Sequence, residues 1–256
     1  MLKHPGDVRH TSNTHCRKLA GRARDFVNVR YHHVLLDLDH TLLDTDTSLQ
    51  MAFTHAMDAV GAEAGDTYVI FDEINQALWR KVEAHELTPP QVHVARFVEL
   101  NDRLELEANP QDMADAFAYG MGAHGELYPG VYAMLDALAD VATLALITNG
   151  LSEIQRARIS RLGIEEHFEV ITISAEVGAA KPGTAIFDLT FDALGEPDRS
   201  AAVMVGDNLG SDIAGGNNAG IATCWYNPHG QAASMQHPSD HTITSLDELL
   251  PIVRGL

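Results

Sequence analysis

Cysteine is nearly missing from this chain, with only Cys16 and Cys224 among 256 residues. Two such residues do not make a disulfide framework. Cys224 lies in the apolar run Ile221-Ala-Thr-Cys-Trp-Tyr and reads as a small core residue. No stretch of about 18 apolar residues occurs, so nothing reads as a transmembrane helix. The first residues hold no apolar stretch of the kind a secretory signal needs. The cytoplasm is therefore the expected location. Basic residues are scarce: 17 Lys and Arg face 36 Asp and Glu, for a net charge of -19. Such a surface argues against nucleic acid or an anionic membrane as a partner. Internal repeats and low-complexity segments are also missing.

The few basic residues are unevenly placed. Residues 1–30 hold seven of them against Asp7 and Asp25, which leaves that segment at +5 and the rest at -24. Residues 1–30 are expected to form a loose basic arm, or to precede the true start. The acidic remainder reads as a solubility device suited to saline surroundings. Activity and folding indifferent to salt would count against that hypothesis.

Hydrophobic content of 45% is enough for a full core. Several short apolar runs end in polar residues: Val34–Leu38, Ala142–Ile147, Val170–Ile173, Ala201–Val205 and Ile221–Tyr226. These read as parallel strands buried on both faces. Helical patterns separate them. Leu151–Leu162, Thr184–Leu194 and Ser211–Ala219 each stop at a glycine (Gly163, Gly195, Gly220) suited to a helix C-terminus. Alternating strands and helices imply an α/β fold with a Rossmann-like parallel sheet. Ligands of such sheets sit at the carboxyl ends of the strands. From about Thr45 to Gly125 the alternation stops, leaving helical stretches near Ser48–Val60, Tyr68–Ala84, Pro90–Leu104 and Asp112–Met121. The expected architecture is a catalytic core of residues 31–45 and 126–256 with an inserted all-helical cap of residues 46–125. A cap so placed would hang over the first strand's end and exclude water.

Four polar clusters follow in order: Asp37-x-Asp39-x-Thr41, Thr148-Asn149, Lys181-Pro182 and Gly206-Asp207-x-x-x-x-Asp212. Two carboxylates at the mouth of a buried strand call for a cation between them. Phosphoryl transfer through an aspartyl-phosphate uses every one of these parts. Asp37 is the expected nucleophile. Asp39, two residues on, is expected to protonate the leaving oxygen and then activate water. Thr148 supplies a hydroxyl, and Asn149 backbone N–H character, to the phosphoryl oxygens. Lys181 offsets charge between nucleophile and phosphate. The carboxylates of Asp37 and Asp207 and the backbone carbonyl of Asp39 are expected to hold Mg²⁺. Asp212, at the start of a helix, is expected to orient the metal's waters or Lys181 from behind the ligands, with Asn208 also in a supporting place.

These four motifs resemble those of the haloacid dehalogenase superfamily, across roughly residues 32–227. The resemblance implies a Mg²⁺-dependent aspartyl-phosphate phosphatase with a C1-type helical cap. An acid at Asp39 implies phosphate-ester chemistry, since dehalogenating members lack it. A finer resemblance, to the pyrimidine 5′-nucleotidase group, is carried by Glu176-Val-Gly-Ala-Ala-Lys-Pro, Met204-Val-Gly-Asp-Asn and the run from Ser211 to Asn227. The cap segment Asn75-Gln-Ala-Leu-Trp79-Arg80 and the pair Arg96-Phe97 look similar to that group too. The implied partner is a small phosphorylated metabolite, a nucleoside 5′-monophosphate, handled by a monomer or weak homodimer.

Blander readings stand beside these. Asp37 and Asp39 could cap a turn, and Thr148-Asn149 could cap the helix after it. Lys181 could be a solvated loop residue, and Asp212 a charge at a helix start. Trp79 and Phe97 suit the cap interior as well as a base-stacking platform. Arg96 suits a surface ion pair as well as a substrate contact. His40 is expected to point away from the metal, and no histidine is assigned as a ligand. On the same motifs, a sugar-phosphate or phosphoglycolate phosphatase, a phosphomutase, or a silent phospho-ligand binder remain open.

Overall fold

The computed structural model describes residues 29–84 and 86–256. All but the last two residues of the expected N-terminal arm, and Cys16 with them, lie outside the described residues.

Six parallel strands form one sheet: β1 (His33–Leu36), β2 (Thr143–Thr148), β3 (Val170–Ile173), β4 (Ala202–Gly206), β5 (Ala222–Tyr226) and β6 (His241–Ile243). Their spatial order is β3-β2-β1-β4-β5-β6. β1 is therefore central, with Leu36 level with Leu146 of β2 and Val205 of β4. The polar residues that follow β1, β2 and β4 consequently emerge side by side. Five strands match the apolar runs to within two residues. β6 is an addition, too short and polar at its start for hydrophobic patterning to reveal it.

Alternation along β1 feeds two cores. Val34 and Leu36 pack on one face with Val131, Leu135 and Leu138 of helix Val131–Ala139. Leu35 packs on the other with Ile186, Phe187 and Phe191 of helix Thr184–Ala193. Both faces are covered, as parallel sheets require.

Four helices lie between β1 and the next core helix: α1 (Thr45–Ala59), α2 (Tyr68–Glu83), α3 (Pro89–Leu104) and α4 (Pro110–Ala123). Their starts are chemically marked. Asp44 accepts from the Thr47 N–H, Thr88 and Gln91 form a reciprocal capping box, and Asn109 accepts from the Gln111 N–H. These helices bury a third cluster, including Phe53, Phe71, Phe97 and Phe117. Leu151 and Ile154, just beyond β2, join it. The helical layer thus rests on the turn that follows β2. Among the described residues no helix is long and apolar enough to cross a membrane.

The expected helix over Ser211–Ala219 is divided. A π-type turn over Leu209–Ile213 precedes a short α-helix, Ala214–Ala219. The wide turn forms because Asn208 turns its side-chain oxygen back on the N–H groups of Gly210 and Ser211.

Candidate active site

Just beyond β1 the chain turns sharply. His40 adopts φ 57°, in the left-handed region, and its N–H donates to the Leu43 carbonyl. This turn sends the two aspartates into different surroundings. The His40 ring is partly exposed, 3.8 Å from the Asp46 carboxylate.

Asp37 is buried, and its Oδ1 accepts from Lys181 Nζ at 2.6 Å. Lys181 is 1% exposed and also reaches the Ile147 carbonyl at 2.8 Å and Asp212 Oδ1 at 2.7 Å. The solvated-loop reading of Lys181 is therefore excluded. Asp212 is equally buried, and its Oδ2 accepts from the Asn208 N–H. It lies in the first turn of the π-type segment, at a helix start as the sequence suggested, and is also paired with Lys181. The Thr41 hydroxyl lies between Asp37 Oδ2 (3.4 Å) and Asp207 Oδ1 (3.3 Å) and accepts from the Asp207 N–H. The Asp207 carbonyl accepts from the indole of buried Trp225 at 2.8 Å.

Carboxylate oxygens of Asp37, Asp207 and Asp212 lie within 4.8 Å of one another. Three acids then share one lysine, in a place largely closed to water. The electrostatic cost is visible in their proton affinities. Burial raises the Asp37 carboxyl well above the usual range despite the pull of Lys181. Burial, reinforced by the charge of Asp212, pushes Asp207 up to about 8. Burial alone would lower the Lys181 ammonium, but the charges of Asp212 and Asp37 outweigh it and raise it. A surplus of buried oxygen anions is the donor set a hard divalent cation takes. Asp212 thus adds a carboxylate to the cluster while pairing with Lys181. The Asn208 amide donates to Glu83, at the end of α2, at 3.2 Å.

The Asp39 side chain stands apart from this cluster. Its Oδ1 accepts from Arg158 Nη1 and Thr45 Oγ1, at 2.7 and 2.8 Å, and its Oδ2 from Gln155 Nε2 at 2.7 Å. Burial opposes its ionisation, but the Arg158 guanidinium and then the Gln155 amide hold its carboxyl below the usual range. The two surroundings therefore bias the pair oppositely, Asp37 toward its protonated form and Asp39 toward its ionised form.

Thr148 is fully buried at the end of β2, and its hydroxyl oxygen accepts from Gln155 Nε2 at 2.8 Å. Asn149 clamps the lysine's loop: its amide donates to the Lys181 carbonyl and its oxygen accepts the Lys181 N–H, both at 2.9 Å. The Asn149 side chain is thus engaged with the chain itself. The following helix, α5 being Val131–Ala139 and α6 Ser152–Leu162, begins after Leu151 with no side-chain cap. The capping alternative for Thr148-Asn149 is excluded with it.

The proposed cap contacts are placed differently. Arg96 is 3% exposed, donates to Asn75 Oδ1 and the Val92 carbonyl, and lies over the Phe117 ring. Burial lowers its guanidinium to about 9. The surface ion pair is not formed; Arg96 is held in the helical layer's interior. Trp79 packs partly buried against the same cluster, and Phe97 is fully inside it.

Arg158, Gln155, Thr45 and Glu83 escaped sequence reasoning. For two of them a signal existed. Along α6 the buried positions are Ile154, Gln155, Arg158, Ile159 and Leu162. Gln155 and Arg158 therefore occupy the helix's inward stripe, where a polar residue needs a buried partner.

The model of the haloacid dehalogenase-like hydrolases matches residues 34–226. Pyrimidine 5′-nucleotidase YjjG of Escherichia coli (strain K12) is 35% identical over 86% of this chain and 97% of its own. Pyrimidine 5′-nucleotidase PynA of Streptococcus pneumoniae is 30% identical over 86% of this chain and 94% of its own. Among solved structures, the putative HAD-hydrolase YfnB of Bacillus subtilis, bound to magnesium, superposes with a TM-score of 0.81 at 28% identity, covering 88% of this chain and 99% of that one.

Proposed function

The chain belongs to the haloacid dehalogenase-like hydrolase family, and we propose that within it the protein is a phosphatase that removes the phosphate of a nucleoside 5′-monophosphate. The observation that carries this reading is the division of labour between two neighbouring aspartates. Asp37 is gripped by Lys181, and Asp39 is held by Arg158, Gln155 and Thr45.

In the proposed reaction an Asp37 oxygen attacks phosphorus and the ester P–O bond breaks. Asp39 gives its proton to the departing alkoxide. Asp39, now ionised, takes a proton from water. That water attacks phosphorus, the P–O bond to Asp37 breaks, and the free carboxylate returns. Lys181 offsets charge on Asp37 and the phosphoryl group, while Thr148 and the backbone of Asn149 hold phosphoryl oxygens. A magnesium ion held by Asp37, Asp207 and the Asp39 carbonyl, with Asp212 beside them, would supply further charge neutralisation. Helices α1–α4 act as the cap and select the leaving group. The nucleotide assignment is supported by relatives at 30% and 35% identity that are pyrimidine 5′-nucleotidases. The protein is read as a cytoplasmic monomer or weak homodimer.

A phosphate-release screen over nucleotides and sugar phosphates with Mg²⁺ tests the assignment. Pyrimidine nucleoside monophosphates should lead; preference for small sugar phosphates would reassign the substrate. Asp37→Asn should abolish release, by about 10³-fold or more, with an unchanged circular dichroism spectrum. Full activity in that variant would overturn the mechanism.

A further inference from the structure

We propose that Gln155 and Arg158 are positioning residues for proton transfer by Asp39, and that Arg158 ties that carboxylate to the chain's return from the helical layer. The inference rests on the phosphatase reading above. It begins with the donors around Asp39. Thr45, Gln155 and Arg158 together direct one hydrogen bond to Oδ2 and two to Oδ1. A carboxylate held by three donors has little freedom to turn. Proton transfer depends on such placement to within a fraction of an ångström.

Both α6 side chains are only 1% exposed, and their polar atoms are committed. Gln155 divides its Nε2 between Asp39 and Thr148, while its oxygen accepts from Arg158 Nη1 at 3.2 Å. One amide therefore spans the proposed proton donor and the proposed phosphate binder. The amide is also confined by packing: a Cβ on Gly150 would come within 2.8 Å of it. Arg158 continues the chain of contacts. Its Nε donates to the Met121 carbonyl at 2.9 Å, near the end of α4. Three residues on, Arg161 donates to the carbonyls of Gly122, His124 and Gly125. The backbone leaving α4 is thus fastened to α6, and through Arg158 to Asp39. Where the helical layer sits and where Asp39 sits are fixed by the same guanidinium.

A residue that merely filled the core would, when replaced, harm every substrate alike. A residue that places a proton donor harms only substrates whose leaving group needs the proton. 4-Nitrophenolate leaves without protonation, whereas an alkoxide does not. The quantity to compare is kcat/KM, which covers steps only through the first irreversible one, here departure of the leaving group. Gln155→Met and Arg158→Lys should lower kcat/KM on the best alkyl phosphate of the screen by about tenfold or more. On 4-nitrophenyl phosphate the loss should stay within about threefold. Asp39→Asn, run alongside, should show the same split. Arg158→Lys keeps the charge but cannot hold Asp39 and the Met121 carbonyl together. If Arg158→Lys fails to fold, Gln155→Met decides. Equal losses on both substrates, in a variant melting near wild type while Asp39→Asn keeps its split, overturn the positioning role and leave the phosphatase reading intact. Wild-type protein that cleaves neither substrate overturns both.

Discussion

Gly206 closes β4, and the place a Cβ would occupy there is filled by the Asp212 carboxylate. That vacancy lets Asp212 reach Lys181 from behind the strand end. Gly206→Ala should push the carboxylate aside, weakening its hold on Lys181. The expected result is a tenfold or larger loss of kcat, on the order of 1.4 kcal/mol in barrier. A higher Mg²⁺ concentration for half-maximal rate should accompany it. Phosphate release titrated with Mg²⁺ checks both, and wild-type values in both would refute the argument. At this scale the sequence was informative where chemistry sits at strand ends. Asp37, Thr41, Lys181, Asp207 and Asp212 are brought together because β1 and β4 are neighbours and the lysine side chain reaches both Asp37 and Asp212. It was silent where chemistry sits on a helix. Polar residues on helices usually face solvent, so nothing singles out Gln155 and Arg158 until the inward stripe of α6 is traced. The surface ion-pair reading of Arg96 is overturned in the opposite direction, the side chain being drawn inside by Asn75 and the Phe117 ring.

Among elements, α1 and α4 approach each other closely at Gly120. A Cβ on Gly120 would lie 2.6 Å from the Ala52 Cα, a backbone atom that cannot give way. Gly120→Ala should separate the two helices and destabilise the protein by about 1–3 kcal/mol, as overpacking does. Because the α4 exit is fastened to Arg158, kcat on alkyl phosphates should fall as well. Thermal melting with parallel kinetics tests this; an unchanged melting point would contradict the packing argument. Helix and strand identities were readable here because period and end signals agreed. The glycines at positions 163 and 220 mark ends that the structure keeps. The π-type turn at Leu209–Ile213 was not readable, since it depends on one side chain, Asn208, folding back on its own backbone. β6 was hidden for a different reason. Its pairing with β5 is tertiary, and the three residues His241–Ile243 carry no pattern of their own.

For the whole molecule, a net charge of -19 leaves the buried acids of the site with no long-range help from a positive surface. Their ionisation therefore sets how the fold responds to pH and to metal. Asp207 is raised to about 8 in the folded chain, against about 4 for a free carboxylate. Between those values the metal-free folded state binds more protons than the unfolded state, so stability falls as pH rises through that window. Asp37 is raised as well and acts in the same sense. Lys181 is raised above an ordinary lysine, so its contribution is fully present throughout this range. A divalent cation needs the ionised carboxylates and stabilises only the folded state. Its benefit must then grow across the window in which the metal-free protein weakens. A few millimolar Mg²⁺ should raise the melting temperature more at pH 8 than at pH 5, with EDTA-treated protein as the reference. Asp207→Asn should reduce that difference, because one of the two groups that must lose a proton is gone. An equal Mg²⁺ effect at both pH values in the wild type would mean that the cation does not bind at these carboxylates.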